Sequence, residues 1–257
     1  MRSFWELMPV RAICTGMAYF WMLVSLVFWS PLAMLLAIPL GRRAHDWCTV
    51  PWSYLTLRLA MARLEVCGLE HVERGGTYIV VANHQSIIDI PALFVALAPR
   101  IAMRFMAKRP IFWVPLLGVT MYVFGHVPVD RGSARKTLSN LRNAEGKLYR
   151  GISFLFFPEG TRTSTGRMAP FKPTAFRIAA RAKVRVLPVT ISGAFEGLPK
   201  FRFVIGPSPR VVVTVHPPIA PSGESASAAE ALSAEAWRAI NGGLPEAHRD
   251  DLAANHA

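Results

Sequence analysis

The sequence is short of charged residues, and of acidic residues above all. Of its 257 residues only 18% are Asp, Glu, Lys or Arg, and 29 basic side chains outnumber 16 acidic ones, for a net charge of +13. Hydrophobic residues make up 52% of the chain, which excludes intrinsic disorder because such a chain can bury a core. A nucleic-acid-binding protein usually reaches this net charge through a high overall charge content. The composition therefore favours a protein that lies on an anionic membrane surface or handles anionic, partly apolar molecules.

Cysteine is also scarce. Cys14, Cys48 and Cys67 form no Cys-x-x-Cys pair, which indicates neither a zinc site nor a disulfide framework and fits a reducing compartment. No serine or cysteine lies in a recognisable nucleophile elbow. In any base-catalysed reaction we therefore expect a water molecule or a substrate hydroxyl to give up the proton.

One long segment lacks charge altogether. Residues 12–40 contain no charged side chain, and a helix of that length would extend about 43 Å, more than the ~30 Å hydrocarbon core of a bilayer. Pro31 and Pro39 interrupt the run, and basic residues flank both ends, so no charge asymmetry sets an orientation. The pattern predicts membrane anchoring over residues 1–63, either as a single span or as a kinked hairpin in one leaflet.

A second charge-free stretch lies at residues 110–127. Two prolines and a glycine interrupt it, so we interpret it as an apolar core or membrane-facing segment of the main domain, with a second span as the alternative.

The rest of the chain predicts a mixed α/β domain over residues 64–220, with a partly parallel sheet flanked by helices. Apolar runs predict strands at 77–82, 152–157, 184–191 and 210–215, and helices at 87–98 and 171–182. The Ala- and Ser-rich tail, residues 221–257, carries two basic and six acidic side chains, and its net charge of −4 leaves +17 on the residues before it. A helix is predicted at 225–240, ended by Gly242 and Gly243.

A histidine and a carboxylate follow the first of these strands. His84 and Asp89 can meet if the histidine lies in the turn and the carboxylate in the first turn of the next helix. Asp89 would then hold one imidazole nitrogen and leave the other free to accept a proton. Alternatively, Asn83 caps the helix and both residues are ordinary polar side chains.

A second polar cluster follows the strand at 152–157. Gly160 frees the backbone to approach a ligand, Thr161 offers a hydroxyl, and Arg162 offers a fork suited to a phosphate. The alternative is an ordinary turn with a solvated arginine. Arg131 follows another short extended run, for which the alternative is a surface turn.

Four motifs, in this order, resemble those of the glycerolipid acyltransferases, and most closely the bacterial 1-acylglycerol-3-phosphate acyltransferases. They are Asn-His-Gln-Ser-Ile-Ile-Asp, Gly-x-x-x-x-Asp-Arg, Phe-Pro-Glu-Gly-Thr-Arg and Leu-Pro-Val, and the resemblance covers residues 64–216. It implies that a fatty acyl group passes from an acyl thioester of coenzyme A or acyl carrier protein to the 2-hydroxyl of lysophosphatidate, with no bound cofactor or metal. It also implies an enzyme of the inner membrane with its catalytic domain on the cytoplasmic face.

The resemblance also implies a role for individual residues. His84 would be the general base, Asp89 would orient and charge-balance its imidazole, and no acyl-enzyme would form. Pro188 would lie beside the acyl donor. Six residues would bind the phosphate and glycerol of the acceptor: Lys108, Arg131, Glu159, Gly160, Thr161 and Arg162.

Three departures from the usual motifs leave the acceptor open. Lys108 precedes Arg109-Pro110 where Lys-x-Glu is more usual, Thr174 replaces a common Gly, and Pro128-Val129 replaces Phe-Ile. Another lysophospholipid or lyso-ornithine lipid is the alternative acceptor, and an inactive membrane-surface lipid-binding protein is a remote alternative. We expect membrane lipids as partners and no nucleic acid, because no recognisable binding module is present.

Overall fold

The fold is described by a computed structural model that covers residues 8–41, 43–129, 144–206 and 209–250. Within these residues the strands form one seven-stranded sheet. They are β1 Arg63–Cys67, β2 Ile79–Ala82, β3 Met103–Lys108, β4 Val127–Val129, β5 Ser153–Phe156, β6 Val186–Ser192 and β7 Arg210–Val215. Their order is β1-β7-β6-β2-β5-β3-β4, and every neighbouring pair is parallel except β6 with β7. The predicted mixed, partly parallel α/β sheet is confirmed.

Helices cover both faces of the sheet. On one face, α3 (Arg43–Leu59) and α4 (Asp89–Leu97) pack on the sheet, and on the other α6 (Thr174–Ala182) and α8 (Ala226–Gly243) do so. The central strands β2 and β5 are buried over their whole length. Burial on both faces explains their continuous apolar sequences, since no side of such a strand meets water.

The tail helix differs from its prediction at its end. Ser225 caps α8 by accepting a hydrogen bond from the backbone N–H of Ala228, but the helix continues through Gly242 and Gly243. A Cβ on Gly243 would lie 2.6 Å from the hydroxyl of Thr190 in β6, so this glycine permits close packing and does not end the helix. The apolar face of α8 is part of the core.

The N-terminal apolar segment forms a longer helix than its prolines suggested. Helix α1 (Met8–Val24), a π-helical turn (Ser25–Trp29) and α2 (Ser30–Leu40) follow one another without a break. This 33-residue run is the one candidate membrane span among the described residues. Pro31 follows the π-helical turn directly and Pro39 lies inside α2, so the run contains both prolines without a break. Residues 12–40 therefore do not fold back on themselves.

The chain turns back after α2, and α3 returns alongside the helical run. Trp21 donates an indole hydrogen bond to the hydroxyl of Thr56 (3.2 Å), and Trp29 donates one to the carbonyl of Cys48 (3.2 Å). Trp21, the earlier tryptophan in the helical run, thus bonds to Thr56, the later of the two partner residues in α3. The helical run and α3 are therefore antiparallel. The hairpin is thus made by α1 and α2 on one arm and α3 on the other.

The second charge-free stretch belongs to the main domain. It forms a 3₁₀ turn (Arg109–Trp113), the short helix α5 (Leu117–Val123) and the strand β4. Seven helical residues extend only about 10 Å, far less than a bilayer core. Several apolar side chains on this segment are exposed to solvent, and that of Trp113 is the most exposed of them.

Candidate active site

The histidine motif leaves the carboxyl end of β2 through a turn fixed by Asn83. The Asn83 side chain donates to the carbonyl of Ile191 in β6 (2.8 Å) and accepts from its N–H (2.7 Å). It therefore joins the ends of two neighbouring strands and is not a helix cap. Helix α4 begins only at Asp89, and its N-cap residue, Ile88, makes no side-chain capping bond.

His84 and Asp89 meet as the sequence predicted. The imidazole Nδ1 lies 2.8 Å from the Asp89 Oδ2, and the same oxygen accepts from the backbone N–H of Gln85 (2.7 Å) and Ser86 (2.8 Å). Because the carboxylate can only accept, Nδ1 carries a proton, and in the neutral imidazole Nε2 is the nitrogen that can accept one. The ring also stacks on Phe157, with centroids 3.9 Å apart. The His84 side chain keeps 16% exposure while Asp89 is fully buried, so the histidine is the member of the pair that a substrate can reach.

The buried Glu159 connects the histidine motif to the Pro-Glu-Gly-Thr-Arg turn. Its Oε1 accepts from the backbone N–H of His84 (2.7 Å), and its Oε2 accepts from that of Ala169 (2.9 Å). Burial raises the pKa of Glu159 to about 7, although both backbone bonds act to lower it. The structure thus places this carboxylate against the backbone and not in the open edge of the site.

The turn after Glu159 faces the open edge. Gly160 has φ of +81°, the left-handed region that glycine adopts at little cost, and its N–H donates to the carbonyl of Phe157 (2.9 Å). Three residues later the backbone N–H of Thr163 donates to the carbonyl of His84 (2.9 Å). Thr161 is exposed, and the half-buried Arg162 makes no hydrogen bond or ion pair with any residue that the structure describes.

The other predicted residues differ in their placement. Lys108 is exposed at the carboxyl end of β3, and because β3, β5 and β2 are adjacent and parallel it lies at the same edge as His84. Pro188 is buried inside β6, paired with Val81 of β2. Arg131 lies outside the described residues.

Two contacts at this edge were missed from the sequence. The Nζ of Lys200 donates to the hydroxyl of Thr161 (3.2 Å), and the hydroxyl of Ser86 donates to the carbonyl of Leu198 (2.8 Å). Lys200 and Leu198 come from a segment with no motif, in which basic and aromatic residues alternate. In the described part of the chain, no three His, Cys, Asp or Glu side chains converge in a way that would hold a metal ion.

Comparison with known proteins identifies similar sequences and a similar fold. The acyltransferase family profile matches residues 63–192. The chain is 31% identical, over 80% of its length, to the chloroplastic 1-acyl-sn-glycerol-3-phosphate acyltransferase of Arabidopsis thaliana, and 31% identical, over 84%, to the human 1-acyl-sn-glycerol-3-phosphate acyltransferase alpha. The crystal structure of the 1-acyl-sn-glycerophosphate acyltransferase PlsC from Thermotoga maritima superposes with a TM-score of 0.76 at 27% identity, covering 90% of this chain and 92% of that one.

The match to these relatives is unequal in extent. The chain spans 57% of the Arabidopsis protein and 78% of the human one. The residues that match the family profile include His84, Asp89 and Glu159.

Proposed function

Because this chain belongs to the acyltransferase family, we propose that it transfers a fatty acyl group from an acyl thioester to the 2-hydroxyl of lysophosphatidate, giving phosphatidate. The observation that carries the proposal is the His84–Asp89 pair at an open sheet edge, in which the buried carboxylate binds Nδ1 of the partly exposed histidine. The relatives named above act on this class of acceptor according to their names.

In the proposed mechanism His84 acts as a general base. Its Nε2 accepts the proton of the acceptor hydroxyl while Asp89 stabilises the imidazolium that forms. The oxygen attacks the thioester carbonyl, and the tetrahedral intermediate collapses with cleavage of the carbon–sulfur bond. The leaving thiolate then takes the proton back from Nε2, so the base is restored and no acyl-enzyme is needed.

The acceptor phosphate would be bound by the cations and hydroxyl at the same edge. Arg162 has no carboxylate partner among the described residues, so its fork is available for bidentate binding of a phosphate. Thr161 and Lys108 are exposed at this edge, and Arg131 would join them. Glu159 and Gly160 would position the turn, since both Glu159 oxygens already bind backbone N–H groups.

The acyl donor would be a thioester of coenzyme A or of acyl carrier protein. Pro188 is buried, so it would shape the donor site through the backbone of β6 and not through direct contact.

We further propose that the enzyme lies on the cytoplasmic face of the inner membrane, with residues 1–63 as its anchor, residues 64–220 as its catalytic domain and residues 221–257 as a tail. The helical run α1–α2 is about 50 Å long, and both of its ends contact the same domain. Near its start, Arg11 donates to the carbonyl of Ile205 (3.0 Å), and near its end Ala33 packs with Phe124. These contacts favour a helix that lies in one leaflet, along the domain, over one that crosses the bilayer.

Substitution of the base tests the mechanism. His84→Ala should lower kcat by about a thousandfold or more while the protein stays folded and vesicle-bound, because no other described group can replace the base. The matched control is His71→Ala, at the opposite edge of the sheet, which should keep normal turnover. Near-normal activity of His84→Ala, measured with lysophosphatidate and acyl-coenzyme A, would exclude the mechanism.

A competition assay tests the acceptor. Lysophosphatidate, another lysophospholipid and lyso-ornithine lipid should be offered together, and their kcat/KM values compared. A higher kcat/KM for either alternative acceptor would leave acyl transfer as the reaction but would identify an acceptor other than lysophosphatidate.

A further inference from the structure

The loop of residues 198–206, which we call the aromatic loop, lies beside the candidate active site. It connects the short helix α7 (Ala194–Gly197) to β7. Because β6 ends and the antiparallel β7 begins at the edge that carries His84, the loop lies at that edge too. Hydrogen bonds hold it at its start, where Leu198 accepts from Ser86, and at its end, where the N–H of Gly206 donates to Gly197.

Two phenylalanines project from this loop. Phe201 is 74% exposed and Phe203 is 78% exposed, so neither packs against a described residue to any large extent. Basic side chains alternate with them, since Lys200 precedes the pair and the exposed Arg202 separates it. The Lys200 ammonium lies 5.3 Å from the centre of the Phe201 ring. Aromatic rings next to cations have the chemistry of side chains that lie at the interface of an anionic bilayer.

The aromatic loop is continuous with the apolar helix α1. Arg11 donates to the carbonyl of Ile205 (3.0 Å), and the N–H of Ile205 donates to the hydroxyl of Thr15 (3.1 Å). On the same helix Ile13 and Met17 are 63% and 52% exposed. The loop is therefore held against one side of the membrane helix, and the exposed apolar side chains Ile13 and Met17 lie on its other side.

The loop also contacts the acceptor side of the site. The Nζ of Lys200 is 3.2 Å from the hydroxyl of Thr161, next to Arg162. Lys200 thus connects the loop that carries Phe201 and Phe203 to the place where the acceptor phosphate is proposed to bind.

We propose that the aromatic loop is a second membrane contact, in which Phe201 and Phe203 insert into an anionic leaflet beside the site and Arg202 binds headgroup phosphates, so that a lyso-lipid reaches His84 from within the leaflet. The last step rests on the proposed function, whereas the membrane contact does not. An acidic protein such as an acyl carrier protein would pair with the cations, but it would not need two projecting phenyl rings.

The test removes the two rings and measures binding and turnover separately. The full-length double variant Phe201→Ser/Phe203→Ser is compared with Tyr149→Ser, which removes a 72% exposed aromatic before β5 at the opposite sheet edge. Binding is measured by co-sedimentation with phosphatidylcholine vesicles, with and without phosphatidylglycerol. Turnover is measured with long-chain lysophosphatidate in the vesicles and with a short-chain lysophosphatidate in free solution.

We expect the double variant to bind anionic vesicles about tenfold more weakly, because two apolar rings no longer leave water. Its turnover in vesicles should fall with binding, while turnover of the dispersed substrate stays within about twofold of wild type. Phe201→Trp/Phe203→Trp should restore binding, since indole rings favour the same interface. Arg202→Gln should weaken binding only where phosphatidylglycerol is present.

Three results would overturn the proposal. Unchanged vesicle binding of the double variant would show that the aromatic loop is not a membrane contact. An equal fall on both substrates with intact binding would show that the loop only shapes the site. A loss confined to reactions with an acyl-carrier-protein donor would identify a protein-docking loop instead. If wild type transfers no acyl group at all, the proposed function fails, and the vesicle measurements still test the membrane contact.

Discussion

Glu159 shows how one buried side chain connects the proposed catalytic base to the turn that we propose binds the substrate. Its two oxygens accept backbone N–H groups from His84 and Ala169, which come from different parts of the chain. Only 5% of the residue is exposed, and this burial raises its pKa to about 7. The folded protein therefore takes up a proton on this carboxyl at a pH where the unfolded chain has lost it.

This difference predicts a pH dependence of stability. An unfolded glutamate titrates near 4.5, so the stability contributed by the bound proton is complete below that pH and is lost as the pH rises through about 7. We expect the unfolding free energy of wild type, relative to Glu159→Gln, to fall by roughly 3 kcal/mol over this window and to level off above it. Chemical denaturation of both proteins over a series of pH values measures the difference. A relative stability that rises with pH would mean that the two backbone bonds outweigh burial.

At the scale of elements, a buried arginine attaches the helical hairpin to the sheet. Arg104 of β3 is only 1% exposed, and its Nε donates to the carbonyl of Phe124 (2.7 Å) while NH1 lies 3.1 Å from the carboxylate of Asp46 in α3. Burial lowers the pKa of His45 and of His126 well below the usual value, so both nearby imidazoles are neutral at pH 7. Among the described residues of the hairpin, Asp46 is therefore a carboxylate that balances part of the arginine charge.

Removal of Asp46 should loosen this attachment. Asp46→Ala leaves a buried guanidinium with less compensation, and we expect a loss of about 2–4 kcal/mol in unfolding free energy, somewhat below the full cost of breaking a buried pair because Asp46 is 27% exposed. The control is Glu73→Gln, which breaks an exposed pair with Arg185 and should have a much smaller effect on the unfolding free energy. Denaturant titration of both variants measures the loss of unfolding free energy in each. Equal effects would show that the Arg104 pair contributes no more than a surface ion pair.

The parts of the fold that the sequence predicted are those with strong apolar runs. The strand at 210–215 has the predicted ends, and the strands at 77–82 and 152–157 are one to two residues shorter at one or both ends. The strand predicted at 184–191 begins two residues later and ends one residue later. Strands β1 and β3 were missed because charged residues interrupt their apolar pattern. In β3 the interruption is Arg104, whose burial depends on partners far away in the chain.

The site was predictable to a similar degree. His84 and Asp89 are close in sequence, and the strand before them places the turn, so their contact followed from local reasoning. The bond from His84 to Glu159 joins residues 75 positions apart and depends on the pairing of β2 with β5. No local pattern contains that information, and for the same reason the contact of Lys200 with Thr161 was missed.

At the scale of the whole molecule, the hairpin and the catalytic domain share one long contact. Phe20, Phe28 and Leu35 on the outer side of the helical run are 68%, 69% and 63% exposed, while its inner side packs on α3 and the domain. A helix with one apolar face outward and both ends on one domain is suited to lie in a single leaflet.

Cysteine labelling tests this topology. In a background without the three native cysteines, Met8→Cys and Ile38→Cys replace exposed side chains near the two ends of the run. If the run lies in the cytoplasmic leaflet as proposed, a membrane-impermeant maleimide should label both positions in inside-out vesicles and neither in right-side-out vesicles. Labelling of the two ends from opposite sides would show that the run crosses the bilayer.

The contact of Thr15 with Ile205 also has a consequence for synthesis. The two residues are 190 positions apart, and a ribosome that adds 5–20 residues per second takes roughly 10–40 s to make the second after the first. During that interval the most apolar segment of the chain has emerged while the loop that will hold it does not yet exist. The lipid leaflet can cover it at once, so the nascent chain would settle on the membrane first and complete its sheet there.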